Sequence, residues 1–383
     1  MNEFQPARRL LGIEKSVIRQ VFDRARPNSI NLGLGEPDLP TPSVIRRAAT
    51  RVITEEQNGY TSHAGLPALR ERVANDYEQL NITGDDVIIT AGSQEALYLA
   101  LMTLVDEGDE VLLPDPGFVA YPTIVRMAGG RAIYYRLPAA QDFQFDLDEF
   151  LHQFTASTKV VILISPSNPT GRTLSSAHLQ ALAKALSVTN VFVISDEIYR
   201  DLYYTAERPD SISNYYPRTI VIGGLSKSMS MTGWRLGWLC GEAAFIKSAL
   251  VLHGYVTTCA STVSQKAALN AAWTEEAEHE RESMRRIFAE RREYLINLIR
   301  SELGLKAVAP DGAFYTMMDT SAFGDSMTVA EKFLEHGVIT VPGGAFGKES
   351  EGFLRVSFCA DLPVLAEGVS RMRQALWSWC NFL

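Results

Sequence analysis

Short, almost wholly apolar β-branched runs recur along this chain, separated by segments long enough for a helix. Val87-Ile88-Ile89-Thr90 reads as a strand, followed by the turn Ala91-Gly92-Ser93 and a helix from Gln94 to about Val105. Asp109–Leu113 is the next strand, stopped by Pro114 and Pro116. Arg131–Leu137, Lys159–Ser165, Val191–Ser195 and Thr219–Gly223 continue the series. Continuous apolar strands alternating with helices indicate an α/β fold whose central sheet is mostly parallel and covered by helices on both faces. From Thr274 to Leu303 the register turns charged and helical, as in a long helix bridging two lobes. Ala313–Met318 and Leu354–Phe358 then read as strands of a smaller α+β domain. The expected division is an N-terminal arm with part of the small domain at 1–40, a large domain at 41–285 and a small C-terminal domain at 286–383. No internal repeat or low-complexity segment interrupts it.

The candidate site residues fall where such a sheet binds ligands. Ser93, Phe118, Asn168, Asp196 and Lys227 each follow on the C-terminal end of an expected strand. In an open parallel sheet those ends form one edge, and ligands bind in the crevice outside it. Five strands therefore deliver side chains to one place.

Lys227 stands in GGLSKSMSMTGWRLGW. Taken alone it is most simply a solvated lysine in a Gly-rich turn, but its surroundings argue otherwise. Asp196 closes the apolar run VFVISD, and a carboxylate there is costly unless a cation faces it. Arg235 and Ser226 beside Lys227 suit a phosphate dianion, which guanidinium binds through paired hydrogen bonds. Ser93 opens a helix, whose free N–H groups and dipole also favour phosphate. A nucleophilic amine, a carboxylate for a buried cation and a phosphate cradle are the three things pyridoxal 5′-phosphate requires.

Competing readings fail on particular residues. Gly33-Leu34-Gly35 opens like a dinucleotide fingerprint, but the third glycine position holds Asp38. Ser226-Lys227-Ser228 lacks the glycine that a P-loop carries before its lysine. The formal charge of −9, with basic residues in no cluster longer than pairs such as Arg285-Arg286, argues against a nucleic-acid partner. No apolar span of membrane-crossing length and no signal-peptide core appears, so no membrane association is expected. Cys240, Cys259, Cys359 and Cys380 lie far apart without metal-ligand or disulfide spacing, and the six histidines show none either. They read as reduced thiols and ordinary histidines of a cytoplasmic enzyme without a metal.

The ordered segments LGLGEPD, NGYTSHAGLPALR, ITAGSQEAL, PDPGFVAYP, SPSNPTG, SDEIY, LSKSMSMTGWRLGW, GAFY, VPGGAFG and LRVSF carry a further signal. In them the chain resembles the fold-type I pyridoxal-phosphate-dependent aminotransferases, class I/II branch, over nearly its whole length. The resemblance implies Lys227 as the Schiff-base lysine, Asp196 as partner of the pyridinium nitrogen and Tyr199 as the phenol on the cofactor 3′-oxygen. Asn168 matches the amide that holds that oxygen and the substrate carboxylate, and Phe118 the aromatic stacked on the ring. Ser93, Gln94, Ser226 and Arg235 match the phosphate cradle, and Tyr60 a tyrosine reaching the phosphate of the other subunit. Arg355 matches the grip on the substrate α-carboxylate, with Gly35 the backbone group near it. Plain core packing is the competing reading for Phe118 and Tyr199, and an edge arginine for Arg355. The implied activity is ping-pong transamination between an L-amino acid and a 2-oxo acid, with 2-oxoglutarate as one acceptor, in a homodimer with shared sites. A lyase of the same fold, cleaving a β-carbon–sulfur bond, is the alternative. A cofactor-sensing regulator, in which such a domain follows a DNA-binding module, is not expected, because the match begins by about residue 32.

Overall fold

The computed structural model describes residues 4–380. Its first six strands are β1 (Ile30–Asn31), β2 (Val87–Thr90), β3 (Glu110–Asp115), β4 (Arg131–Arg136), β5 (Thr158–Ile164) and β6 (Phe192–Asp196). The rest are β7 (Thr219–Gly224), β8 (Gly237–Cys240), β9 (Tyr315–Asp319), β10 (Val338–Ile339), β11 (Val341–Pro342) and β12 (Phe353–Ser357). Seven make one sheet in the order β2-β8-β7-β6-β5-β3-β4. Neighbours are parallel except around β8, which runs antiparallel to both β2 and β7. With β8 reversed between them, β2 and β7 point the same way as the rest. The C-terminal ends of β2, β3, β5, β6 and β7 thus share one edge, as the sequence led us to expect. Sequence reasoning missed β8, because Gly-Trp-Leu-Cys is short and has no β-branched residue to announce a strand.

Successive side chains leave a strand on opposite faces, and here both faces are dry. Val160 and Ile162 of β5 join Leu97, Leu101, Val125 and Phe245 from helices on one side. Val161 and Leu163 pack on the other side with Phe150, Leu179 and Leu182. A separate core holds the C-terminal lobe. Phe288 and Leu295 of the long helix Glu275–Leu298 meet Phe314, Met318, Val356 and Leu365 there. This lobe carries the antiparallel sheet β11-β12-β9. The N-terminal segment is tied to it by the parallel pair β1–β10 and by Arg291, whose guanidinium donates to both carboxylate oxygens of Asp38 at 2.6 and 3.0 Å. Among the described residues no helix is long and apolar enough to cross a membrane. Cys240, Cys259 and Cys359 are unpaired; the side chain of Cys380 lies outside the described residues.

The unannounced strand β8 is packed backbone to backbone against the turn after β2. A Cβ added to Gly237 would stand 2.7 Å from Gly92 C and from Ser93 N, and 3.0 Å from Gly223 O. These are main-chain atoms that cannot swing aside. Gly237→Ala should therefore lower the urea stability of the purified protein by about 1–3 kcal/mol, the usual cost of overpacking. An unchanged urea midpoint would show that the turn has room to spare.

Candidate active site

A cavity of about 280 Å³ opens at the shared strand edge, and Ser93, Phe118, Asn168, Asp196 and Lys227 all line it. Gly35, Gln94, Tyr199, Ser226, Arg235 and Arg355 complete the set of sequence-predicted residues brought together there. Tyr60 is the exception. It is 88% exposed and sits in a separate surface hollow with Asn58 and the segment 259–263. A roomier, more apolar cavity of about 680 Å³ lies beyond Phe118, between β3 and the segment 344–348. Lys348 lines it, but Lys227, Arg235 and Arg355 do not, so the chemistry belongs to the smaller one.

Asp196, the last residue of β6, is the electrostatic anomaly of the crevice. It accepts a hydrogen bond from the Tyr121 hydroxyl at 2.8 Å and a longer one from Ile198 N–H at 3.3 Å. No lysine, arginine or histidine forms an ion pair with it among the described residues. Burial therefore pushes its carboxyl up to about 6, against the opposing pull of those hydrogen bonds. A buried carboxylate without a cation is a ready partner for a positively charged ligand group.

The opposite end of the cavity is built for an anion. Gly92, at φ 88°, turns the chain from β2 into the helix Ser93–Leu104. A side chain at Gly92 would collide with the Arg235 guanidinium. Glu95 and Ala96 return their N–H groups to Gly92 O, which leaves those of Ser93 and Gln94 at the open helix end. Arg235 donates to the carbonyls of Ala91 at 3.1 Å and Thr232 at 2.9 Å, and no carboxylate pairs with it among the described residues. The turn is braced from beneath by Glu95, which accepts from Ala91 N–H, Thr257 and His253. Burial raises the Glu95 carboxyl, but these hydrogen bonds outweigh it and hold the group below its ordinary value. Cationic fork, free helix N–H groups and the Ser226 side chain together suit a phosphate.

Lys227 lies between the two charge sites and donates to Gly35 O at 2.7 Å. Burial pulls its amine down to about 8, with the Arg355 and Arg235 cations adding to the effect and Cys359 and Glu36 opposing it. Arg355 is only 3% exposed. The edge reading of this arginine was wrong, because β12 is the middle strand of its sheet and Arg355 pairs with Val341 on one side and Met317 on the other. It donates to Asn168 Oδ1 at 2.7 Å and Gly33 O at 2.6 Å, while its buried Nε has no partner. Burial lowers its pKa, as expected of a guanidinium awaiting an anion. The core reading of Phe118 is also insufficient, since its half-buried ring lines the cavity. Among the described residues no cluster of His, Cys, Asp or Glu is placed to hold a metal ion.

Ile18, Ile164 and Thr232 also line the cavity, and three further lining or supporting residues that the sequence reading did not assign have a clear part in it. Tyr121 holds Asp196, Ile198 faces the cavity two residues after it, and Tyr315 meets Tyr199 hydroxyl to hydroxyl at 2.9 Å. Each stood inside a quoted motif (PDPGFVAYP, SDEIY or GAFY). The available signal was spacing: Tyr121 lies one helical turn after Phe118.

Comparison with known proteins places the chain in context. Residues 27–371 match the family described as aminotransferase class I and II. A probable aspartate aminotransferase of Methanocaldococcus jannaschii is 37% identical over 91% of this chain and 94% of its own length. A probable N-acetyl-LL-diaminopimelate aminotransferase of Bacillus subtilis is 38% identical over 90% of this chain and 88% of its own. The solved Thermus thermophilus aspartate aminotransferase with maleate superposes with a TM-score of 0.92 at 32% identity, covering 97% of this chain and all of that one.

The state of Asp196 can be read from stability. With its carboxyl raised from 3.8 to about 6, its favourable contribution is complete below about pH 4 and lost as pH rises through 6. In the ligand-free protein Asp196→Asn should therefore be stabilising at pH 7.5, by at most about 3 kcal/mol. The gap in melting temperature to the unsubstituted protein should shrink on acidification to pH 5. A gap that did not depend on pH would mean that Asp196 is not held in an apolar setting.

Proposed function

The chain belongs to the class I and II aminotransferases and is a transaminase; we propose that it holds pyridoxal 5′-phosphate in this crevice and moves an amino group between an L-amino acid and a 2-oxo acid. The observation that carries the reading is the pairing of a buried, cation-less carboxylate with a buried amine and an unpaired guanidinium in one cavity. Those three groups match the ring nitrogen, the aldehyde and the phosphate of that cofactor. The fit rests on the Asp196 carboxylate without an ion-pair partner, on the unpartnered Nε of Arg355 for a carboxylate, and on the glycine that leaves Arg235 its place.

Ser93, Gln94, Ser226 and Arg235 would hold the phosphate, Phe118 and Ile198 the ring, and Tyr199 and Asn168 its 3′-oxygen. When bound, pyridoxal phosphate supplies an aldehyde that condenses with amines and a ring that takes up an electron pair. Asp196 keeps positive charge on the ring nitrogen, since a carboxylate buried in a low dielectric strongly favours a neighbouring cation. Arg355 orients the substrate through its α-carboxylate, with Asn168 fixing the guanidinium. Lys227 takes the α-proton at Nζ, holds it and returns it to carbon. An amine at about 8 is roughly one-tenth neutral at pH 7, against about one part in three thousand for an ordinary lysine. That fraction is what a base or nucleophile working near neutrality needs.

We place 2-oxoglutarate among the acceptors on the strength of the sequence resemblance. The cavity's cations are Lys227, Arg235 and Arg355, each with a task in this reading. A second substrate carboxylate would need a cation from elsewhere, which keeps neutral donors open beside the dicarboxylates named for the relatives. We also propose a homodimer with shared sites. Tyr60 and Tyr255 are 88% and 90% exposed, and a partner surface would cover them. In a two-fold dimer the same patch is used twice, so each site would receive Tyr60 from its partner.

Two experiments test this reading. Cofactor-free protein mixed with pyridoxal phosphate should gain borohydride-fixable label at a rate that rises with pH and is half-maximal near 8. Lys227→Ala should gain none and lose turnover by about 10³-fold or more; label on the alanine variant would displace Lys227 from its role. For the dimer, Tyr60→Phe and Lys227→Ala subunits are mixed and exchanged. Each hybrid then carries one intact site, so activity at limiting cofactor should exceed the mean of the parents. Confirmed exchange without that gain would assign Tyr60 to its own chain or to no site at all.

A further inference from the structure

We propose that Tyr315 is a positioning residue whose hydroxyl donates to Tyr199 and so aims the Tyr199 proton into the crevice; this rests on the reading in which Tyr199 faces the cofactor 3′-oxygen.

Tyr315 opens β9 and is 1% exposed. Its hydroxyl lies 2.9 Å from that of Tyr199, the two rings meeting edge to face with centroids 5.8 Å apart. Each phenol has one proton to give, so the direction of the bond decides where the second proton points. If Tyr199 gave its proton to Tyr315, nothing would remain to donate to a ligand. One feature sets the opposite direction. The Arg355 guanidinium sits 4.2 Å above the Tyr315 ring, drawing electron density from it and making its hydroxyl the stronger donor. Gly35 leaves the hydroxyl its seat, since a side chain there would overlap the Tyr315 oxygen. Tyr315 therefore touches the phenol, the arginine and the glycine that the reading assigns to cofactor and substrate.

Both phenols are neutral over the working range, since burial pushes Tyr315 up to about 12 and Tyr199 well above 10. The charged or titratable groups facing the pair are Arg355 and Cys359 from β12 and its end, Asp196 from β6 and, beside Cys359, Lys227 after β7. The substitution below leaves all of them in place.

A phenol donating to the 3′-oxygen favours its deprotonated form, so loss of that donation raises the pH midpoint of the visible absorption. Protein reconstituted with pyridoxal phosphate is titrated for four forms: unsubstituted, Tyr199→Phe, Tyr315→Phe and the double variant. Tyr199→Phe should raise the midpoint by about one unit and Tyr315→Phe by about half of that. The double variant should match Tyr199→Phe, because a residue acting through another adds nothing once that other is gone. The amino-donor KM of Tyr315→Phe should change less than about twofold, since the ring beneath Arg355 is retained. A purely structural Tyr315 would lower the melting temperature and leave the midpoint alone. If Tyr199→Phe moves the midpoint and Tyr315→Phe does not, or if the two shifts add in full, the positioning role falls while the Tyr199 reading stands. If Tyr199→Phe itself is silent, that reading falls and the proposal with it.

Discussion

The arrangement of this protein depends on one buried charge. Asp196 ends a strand that begins Phe192-Val193-Ile194, and its hydrogen bonds come only from a phenol and a peptide N–H. Such a carboxylate is destabilising in an empty fold. In the function we propose, a cation arriving there would convert the penalty into affinity. The same low dielectric that raises Asp196 lowers Lys227. One property of the crevice, burial, thus shifts both groups in the directions that the proposed reading needs.

Topology does the rest. Parallel strands joined by helical crossovers are covered on both faces, and that pattern places five strand ends on one edge. The reversed strand β8 interrupts the pattern at a useful point. Its first residue, Gly237, lies against the backbone of Gly92 and Ser93, so the helix-end anion site and the Lys227 turn are locked to each other through bare main chain. The C-terminal lobe contributes from its own core. Arg355 and Tyr315 stand on adjacent strands of its sheet, and the Asn168 contact carries them to the large lobe's edge.

What was legible in the sequence follows from this division. The parallel strands announced themselves through continuous Val, Ile and Leu runs, and their boundaries agree to within about two residues. The strand-end residues were visible for the same reason, because a polar side chain stops an apolar run. Arg355 was not legible from pattern alone. Whether a strand is central or at an edge depends on pairings remote in sequence, here with Val341 and Met317. Tyr121 and Tyr315 were hidden differently. Both are bulky aromatics at apolar positions, which a hydrophobic pattern counts as core, and only their hydroxyls give them a role. The resemblance supplied Arg355; it supplied neither tyrosine.

Tyr60 shows the limit of a single chain as the unit of explanation. Every other residue assigned to the site lines one cavity formed within a single chain. Tyr60 does not. Its ring stands almost fully in solvent beside the hollow at 259–263, where burial would stabilise it by roughly 1.5–3 kcal/mol. In the dimer we propose, a second copy of the same chain would supply that burial and place both copies of Tyr60 under identical cover. On that proposal the crevice is finished by assembly: folding sets the carboxylate, the amine and the guanidinium, and association would bring the last donor to the phosphate.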